Sequence, residues 1–378
     1  MSALLTPHQI FGLSLKNRVV MAPMTRCRSK MNGLPNSLMA QYYEQRASAG
    51  LLITEATNVS AMSAAFELAP GIYTDEQMEA WKSIVARVHA AGGRIFMQLW
   101  HSGRVSSFAL LDGQSPISPS GINDDLEQLQ VWGHLQNGHY TKIHATPSRE
   151  MTTEEVADVV ACFKAAAKRA HTAGFDGVEV HAANGYLPHQ FLSSTTNVRT
   201  DRYGGSVEKR AHFLREILEQ VSEVLPLNRV GVRISPFALY NNVRDGNPEQ
   251  TYTFVSKMLQ EFGVAYVHAA DTNGWVGKPD LSKIVSIVRS GYDGTLMVNG
   301  GLTLDEGESL IENGTAQLVA YARAFIANPD LVERIEHKQS LSTANAFGWY
   351  GGDAAGYTDY PTHAGEKTTP GGLEIGEF

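Results

Sequence analysis

Residues 177–181 read GVEVH, a short run in which apolar residues alternate with polar ones. Successive side chains of a β-strand point to opposite faces, so Val178 and Val180 share one face and His181 lies on the other. A strand of a parallel sheet is buried on both faces and is normally apolar throughout. A large polar side chain at its C-terminal end therefore indicates a polar site, because barrel enzymes keep their catalytic groups there.

The same alternation recurs in two other runs. At residues 230–234 (VGVRI) it separates Arg233 from the aliphatic side chains, and at residues 95–99 (IFMQL) it isolates Gln98. If the aliphatic faces meet helices, the three polar side chains converge at one end of a barrel interior. The pattern predicts a polar pocket at that end.

Each of these residues also has a purely structural interpretation. His181 fits a satisfied core histidine, Arg233 a partner for an internal carboxylate such as Glu179, and Gln98 a filler of the top layer. Their shared position at strand ends favours a site, since the catalytic groups of barrels come from the ends of several strands.

Outward from these runs, eight β-rich segments alternate with longer helical patterns, as in repeated βα units. Three helix starts carry a capping-box pattern, in which a hydroxyl and an amide or carboxylate satisfy free N–H groups. These boxes are Thr74 with Gln77, Thr152 with Glu155, and Thr303 with Glu306. The predicted strands are residues 18–22, 51–55, 94–99, 177–181, 230–235, 265–269, 295–298 and 317–320.

Eight such units predict a single (β/α)8 TIM barrel. An open doubly wound sheet is the alternative, but it normally brings a Gly-x-Gly-x-x-Gly turn or a Walker loop, and the sequence has neither. We expect one domain over residues 1–361, with a long loop insertion at residues 102–150 after the third strand and a C-terminal extension. The polar, Gly-rich tail at residues 362–378 is expected to be disordered.

Composition narrows the possible partners. The 378 residues are 43% hydrophobic and 19% charged, and the formal net charge is −8, without a basic run of the kind that binds nucleic acid. Cys27 and Cys162 lie far apart, and no Cys/His cluster has metal-ligand spacing. No apolar run approaches the roughly 20 residues that span a bilayer. We expect a cytoplasmic protein that acts on small molecules, without metal, membrane or nucleic acid.

Eight motifs, spread from about residue 17 to residue 361, together resemble the Old Yellow Enzyme family of FMN-dependent ene-reductases. Order, spacing and strand placement all agree with that family. The motifs are residues 17–26 (NRVVMAPMTR), 41–50 (QYYEQRASAG), 98–104 (QLWHSGR), 181–187 (HAANGYL), 196–206 (TNVRTDRYGGS), 233–236 (RISP), 325–331 (FIANPDL) and 356–361 (GYTDYP).

The resemblance implies FMN across the barrel mouth. Thr25 resembles the hydroxyl that bonds the flavin near N5, Gln98 the amide at the pyrimidine edge, and Arg233 the cation beside N1. Pro23 and Ala56 resemble backbone and packing elements of the same ring site.

The phosphate of FMN is expected near strands seven and eight. Gly300 and Gly301 offer closely approachable N–H groups, and Arg323 offers a fork suited to phosphate. Ala322 departs from the glycine that the family usually has before this arginine, and its methyl would crowd the loop if the position needs a positive φ.

The resemblance also implies roles toward substrate. His181 and Asn184 resemble the two donors that hold a substrate carbonyl oxygen, and Tyr186 the acid that protonates the α-carbon. Trp100 and Tyr350 are expected to shape the substrate cavity. Structural interpretations remain for Asn184, as a turn cap, and for Tyr186, as a half-buried aromatic. Cys27 is expected to be inert, because Thr25 already takes the flavin-edge position.

The implied reaction is ping-pong transfer of hydride from NAD(P)H to FMN and then to an enone, or to a quinone or nitro compound. The sequence contains no Rossmann fingerprint, so the nicotinamide is expected to visit the substrate cavity. Two other functions stay open at this point. A flavin-free barrel lyase or hydrolase would need a metal cluster or a Schiff-base lysine at a strand end, and the sequence indicates neither. A flavin-binding sensor is not excluded by any residue.

Overall fold

Eight parallel strands close into a barrel in the computed structural model, which describes residues 2–275 and 280–363. Each strand pairs with its neighbour in sequence, and the last pairs with the first. All eight predicted strands are confirmed, with ends that differ by at most two residues. They are β1 (Val19–Met21), β2 (Leu51–Ile53), β3 (Ile95–Trp100), β4 (Gly177–Ala182), β5 (Val230–Ile234), β6 (Tyr266–Ala270), β7 (Leu296–Asn299) and β8 (Leu318–Tyr321).

Helices follow the strands and cover the outside of the barrel. The predicted capping boxes are confirmed at the starts of α2, α3 and α9, where hydroxyl and carboxylate or amide satisfy each other's backbone N–H groups. The α-helices are α1 (Ser37–Gln45), α2 (Asp75–Ala90), α3 (Thr153–Thr172), α4 (Leu187–Leu192), α5 (Val207–Arg210), α6 (His212–Ser222), α7 (Pro248–Phe262), α8 (Leu281–Arg289), α9 (Leu304–Glu312), α10 (Arg323–Ala327) and α11 (Leu331–Glu336).

The two faces of the strands separate two apolar clusters, as the alternation predicts. Outward side chains such as Val178, Val180 and Val232 join the cluster that the helices cover. Inward side chains such as Phe96 and Met297 form a second cluster inside the lower half of the barrel. The interior is therefore apolar at its base, and the polar residues of the same strands lie toward the C-terminal ends.

The base of the barrel is plugged by an antiparallel hairpin of His8–Ile10 and Leu13–Leu15, whose Ile10, Leu13 and Leu15 side chains belong to the interior cluster. Because aliphatic side chains fill this end, the cavity and its polar groups lie at the opposite end of the barrel.

The predicted insertion after β3 is confirmed and carries secondary structure of its own. Ile117–Ser118 pairs with Arg149–Glu150, and Val131–His134 forms a hairpin with Tyr140–Ile143. Trp132 of the hairpin bridges to Phe66, which anchors the insertion above the barrel.

Two further expectations concern the chain as a whole. No helix in the described ranges is both long and apolar enough to cross a membrane. The tail at residues 362–378 was predicted to be disordered, and its residues beyond His363 lie outside the described part of the chain.

Candidate active site

A cavity that is partly open to solvent lies at the C-terminal ends of the barrel strands, the end at which barrel enzymes keep their active sites. An adjoining cavity shares Arg233, Ala322 and Arg323 with it and adds Gly300 and Gly301. Most of the sequence-predicted site residues line the larger cavity. They are Pro23, Thr25, Ala56, Gln98, His181, Asn184, Tyr186, Arg233, Ala322, Arg323 and Tyr350.

Trp100 is the one predicted site residue that lines neither cavity. It is fully buried, with its ring edge-on to Tyr186 at 5.1 Å between centroids and 6.3 Å from Phe66. Tyr186 and Phe66 line the wall, and Trp100 packs against both from behind, so Trp100 could shape the cavity only through these two residues.

His181 enters the cavity from the end of β4. Its side chain is 2% exposed, and its Nδ1 has no hydrogen-bond partner among the described residues. Burial lowers the pKa of His181 well below its usual value, and the nearby Arg233 lowers it further. The imidazole is therefore neutral at pH 7 and offers one N–H donor that no described residue fixes.

Asn184 stands on a tight turn directly after β4. Its backbone is left-handed, with φ of 57°, and its N–H donates to Ser235 Oγ at 2.8 Å. Its carbonyl accepts from Asn241 Nδ2 at 2.9 Å, while its own Oδ1 is buried without a partner in the described ranges. The backbone is thus fixed from two sides, which leaves the amide side chain for the cavity.

Tyr186 follows at the start of α4. Its ring lies edge-on to His181 at 5.0 Å, and only 6% of the residue is exposed. Burial raises the pKa of its phenol, Tyr350 adds to this, and a hydrogen bond with the Asn241 side chain acts in the opposite direction. The phenol is protonated throughout the neutral range, as a proton donor must be.

Gln98 and Arg233 belong to a buried polar group beneath the cavity. Gln98 Nε2 donates to Glu179 Oε1 at 2.8 Å, and the other oxygen of Glu179 bonds His268 Nδ1 at 2.9 Å. Arg233 donates a hydrogen bond to Asn299 Oδ1 at 3.1 Å and not to Glu179. The Arg233 Nε is buried without a partner in the described chain.

The wall beside β1 and β2 brings together Pro23, Thr25 and Ala56. Cys27 lies behind this wall, fully buried, and Tyr140 donates a hydrogen bond to its Sγ at 3.0 Å. Burial raises the pKa of the Cys27 thiol, so it stays protonated away from the cavity surface.

Ala322 and Arg323 form the edge between the two cavities. Ala322 has φ of −99°, so its methyl group meets no backbone penalty, and the concern about a positive φ does not apply. Gly301 does have a positive φ of 75°. The Arg323 side chain is exposed and makes no hydrogen bond or ion pair with a described residue, which leaves its fork available to an anion.

Several lining residues were not predicted from the sequence. Asn299 lines the cavity from an interior position of β7. His268, which lies beneath the cavity on β6, was not predicted either, although the alternation in residues 266–270 (YVHAA) isolates it. Others come from loops and short helical segments that carry no periodic signal. The unpredicted lining residues include Phe66, Tyr240, Thr272, Ile326 and Trp349.

The NADH:flavin oxidoreductase / NADH oxidase family model matches residues 3–342. The chain belongs to that family. The resemblance to Old Yellow Enzyme is confirmed, and the protein is an NAD(P)H-dependent flavin oxidoreductase.

Its relatives agree with this over nearly the whole chain. A putative 12-oxophytodienoate reductase 11 of Oryza sativa is 40% identical over 95% of this chain and 97% of its own length. The 12-oxophytodienoate reductase 2 of Arabidopsis thaliana is 39% identical over 95% of each. Morphinone reductase in complex with tetrahydroNAD superimposes with a TM-score of 0.90 at 41% identity, over 96% of this chain and 98% of that one.

The family implies FMN, and the residues present fit it. A phosphate site needs backbone N–H groups and a cation, which Gly300, Gly301 and Arg323 provide around the smaller cavity. A flavin ring has polar edges, which match the hydrogen-bonding groups of Gln98 and Thr25 in the larger cavity. The unpartnered Arg233 Nε is the kind of buried donor that a ligand oxygen or nitrogen would satisfy.

Proposed function

We propose that the protein is an FMN-dependent ene-reductase that uses NAD(P)H to saturate the C=C bond of α,β-unsaturated carbonyl compounds. Quinones and nitro compounds are further acceptors under this proposal. One observation carries it: His181, Asn184 and Tyr186 line the same cavity as Gln98, Arg233 and Thr25. Two carbonyl donors and an acid thus share one space with the residues assigned to the flavin.

The donor pair would bind and polarise the substrate. The lowered pKa of His181 keeps its imidazole neutral, with one N–H that can donate to the substrate. Asn184 supplies amide hydrogens from the same cavity. Two donors aimed at one carbonyl oxygen stabilise the negative charge that develops there as the double bond is reduced. FMN, when bound, would accept two electrons from the nicotinamide and pass them to the β-carbon.

Tyr186 would complete the reaction by delivering a proton to the α-carbon. Its ring lies 5.0 Å from that of His181, so a carbonyl held by His181 places the adjacent carbon near the phenol. Phe66 and Tyr350, 5.5 Å apart between ring centroids, form an apolar side of the cavity that suits the carbon skeleton of the substrate. The names of the relatives, reductases of an oxo compound and of morphinone, support this substrate class.

The nicotinamide is proposed to use the same cavity, which makes the kinetics ping-pong. Purified protein tests this directly. We expect it to release FMN on denaturation, to be bleached anaerobically by NADH or NADPH, and to recover its colour when an enone is then added. A protein that cannot be loaded with FMN, or one whose reduced form no enone, quinone or nitro compound reoxidises, would contradict the proposal.

Arg323→Ala gives a matched test of the cofactor site. Losing a charge-assisted contact to phosphate typically costs about 1.5–3 kcal/mol, equivalent to roughly a 10- to 150-fold weaker Kd for FMN. Arg202→Ala is the control, because Arg202 is an exposed arginine in the connection between α4 and α5 and lines neither cavity. This variant should leave the affinity for FMN unchanged.

A further inference from the structure

Two fully buried side chains beneath the cavity take no part in the proposed chemistry. Glu179 and His268 are both 0% exposed, on β4 and β6, and their side chains meet at 2.9 Å. Glu179 pairs in register with Gly231 of β5, over which the Tyr266 ring lies, and its carboxylate reaches His268 on β6. Burying an ionisable pair costs free energy unless each polar atom has a partner. A buried pair without a role in the proposed chemistry therefore suggests another function.

Each oxygen of Glu179 has a different partner. Oε1 accepts from Gln98 Nε2 at 2.8 Å, and Oε2 accepts from His268 Nδ1. An ionised carboxylate can only accept hydrogen bonds. The Gln98 atom that faces Glu179 must therefore be the NH2 group, and the Gln98 carbonyl oxygen remains for the cavity that this residue lines.

The same carboxylate is the buried counter-charge of Arg233. Its pKa is lowered despite complete burial, because His268, Arg233 and Gln98 all favour the ionised form. Burial lowers the pKa of His268 below its ordinary value although Glu179 acts in the opposite direction, so the imidazole is neutral at pH 7. The balance beneath the cavity is thus one negative charge on Glu179 against one positive charge on Arg233.

We propose that Glu179 and His268 are positioning residues that fix the Gln98 amide and offset the Arg233 charge, and so set the reduction potential of the bound flavin. This inference rests on the proposed FMN site. Two-electron reduction adds negative charge to the flavin, and the potential therefore depends on the net charge of the group below it. Neither residue lines the cavity, so each acts on the cofactor only through Gln98 and Arg233.

Glu179→Gln tests the charge while keeping the shape. The new amide accepts from Gln98 through its oxygen and donates to His268 through its nitrogen, because the neutral imidazole can move its proton to Nε2, which has no partner in the described residues. Leaving Arg233 unbalanced should favour reduced FMN at least tenfold, about 30 mV for a two-electron couple. The readout is equilibration of the holoenzyme with a dye of known potential. A change below about twofold in that equilibrium would overturn the proposal.

A pair of His268 variants tests the donor separately. His268→Asn retains an N–H toward Glu179 and should keep the potential near that of the wild type. His268→Leu removes the donor, which destabilises the buried carboxylate and should shift the potential in the same direction as Glu179→Gln. Equal potentials in the two His268 variants would contradict the role of His268, and this pair decides the matter if Glu179→Gln yields no folded protein.

Asp176→Asn is the control for loss of a nearly buried carboxylate. Asp176 lies at the opposite end of the barrel, where it accepts from Ile95 N at 2.9 Å and pairs with His89. We expect lower stability and an unchanged potential. Failure of the wild type to bind FMN would refute the proposed function itself, whereas FMN binding with identical potentials in wild type and Glu179→Gln would refute only this inference.

Discussion

At the scale of single residues, burial suits Tyr186 to its proposed role as a proton donor. Burial raises the pKa of the Tyr186 phenol, so the phenol is protonated at neutral pH and can donate its proton to a carbanion-like carbon of the substrate. Tyr186→Phe keeps the ring and removes the acid. We expect turnover of simple enones to fall roughly 100- to 10,000-fold, the usual loss for a general acid, while reduction of the flavin by NAD(P)H stays near the wild-type rate.

Rapid mixing of each half-reaction checks this prediction. Quinones, whose oxygens take protons from solvent, serve as the control acceptor and should react at nearly the wild-type rate. An undiminished enone rate, or an equal loss in flavin reduction, would remove Tyr186 from the acid role.

The donor pair predicts how phenols bind. A phenolate oxygen held by His181 and Asn184 would stack its ring on oxidised flavin and give a long-wavelength charge-transfer band. His181→Ala should weaken both the band and the affinity, by roughly 10- to 150-fold for a hydrogen bond to a charged group. Titration with a substituted phenol measures both. Unchanged binding in His181→Ala and in Asn184→Ala would show that the pair does not form this site.

The sequence was informative about some of these residues and not about others, for a physical reason. Strand alternation predicts Gln98, His181 and Arg233, because the direction of a strand side chain depends only on its parity. The partners of those residues depend on which strands become neighbours. Glu179 was considered as a partner for Arg233; it does balance the Arg233 charge, but its hydrogen bonds are with Gln98 and His268.

At the scale of elements, the C-terminal segment is held on the barrel by arginines. Arg26 donates to the carbonyls of Trp349, Gly348 and Gly356 at 2.9, 3.0 and 2.7 Å. Arg28 donates to the carbonyls of Gly348 and Asp353, each at 3.0 Å. The segment they hold presents Tyr350 to the cavity. These contacts connect residues more than 300 positions apart, and for that reason no local pattern predicted them.

Arg26→Lys replaces a planar fork by a single ammonium group, which cannot reach three carbonyls at once. We expect the free energy of unfolding to fall by about 1.5–3 kcal/mol, with faster proteolysis between residues 345 and 360. Urea denaturation at fixed FMN concentration and limited proteolysis measure the two effects. The exposed Arg94→Lys is the control, and equal behaviour of the two variants would contradict the proposed anchoring role.

At the scale of the whole molecule, several buried histidines are neutral. Burial lowers the pKa of His101 to about 3 and that of His189 to about 4, and it lowers the pKa of His181 as well. Backbone N–H groups donate to Nδ1 of His101 and of His189, which requires those nitrogens to be unprotonated. The unfolded chain, with histidine pKa values near 6.5, therefore binds more protons than the folded one below that pH.

The contribution of these histidines to the free energy of unfolding is fully present above about pH 6.5, and it is lost as the pH falls toward their pKa values in the folded protein. Each such histidine should lower the free energy of unfolding by about 2 kcal/mol at pH 5 relative to pH 7. Glu55, whose pKa burial raises, acts in the opposite direction. Urea denaturation at both pH values measures the sum, and His189→Asn should reduce the difference. A stability that does not change between pH 7 and 5 would contradict neutral buried histidines.

The barrel itself could be predicted because each βα unit carries its own signals, from strand alternation to the capping boxes of α2, α3 and α9. The insertion was predicted as a loop, and its hairpin of Val131–His134 with Tyr140–Ile143 was not. That hairpin depends on Trp132 packing with Phe66 and Tyr350, which are distant in sequence.

One measurement tests the central claim, that this cavity passes electrons from a nicotinamide to an enone through FMN. The enzyme is reduced anaerobically with NAD(P)H, the nucleotide is removed, and an enone is added. We expect an amount of saturated product equal to the amount of bound FMN, together with the return of the oxidised flavin spectrum. Reduced flavin that no enone reoxidises, or saturated product that forms only while the nucleotide is present, would contradict the claim.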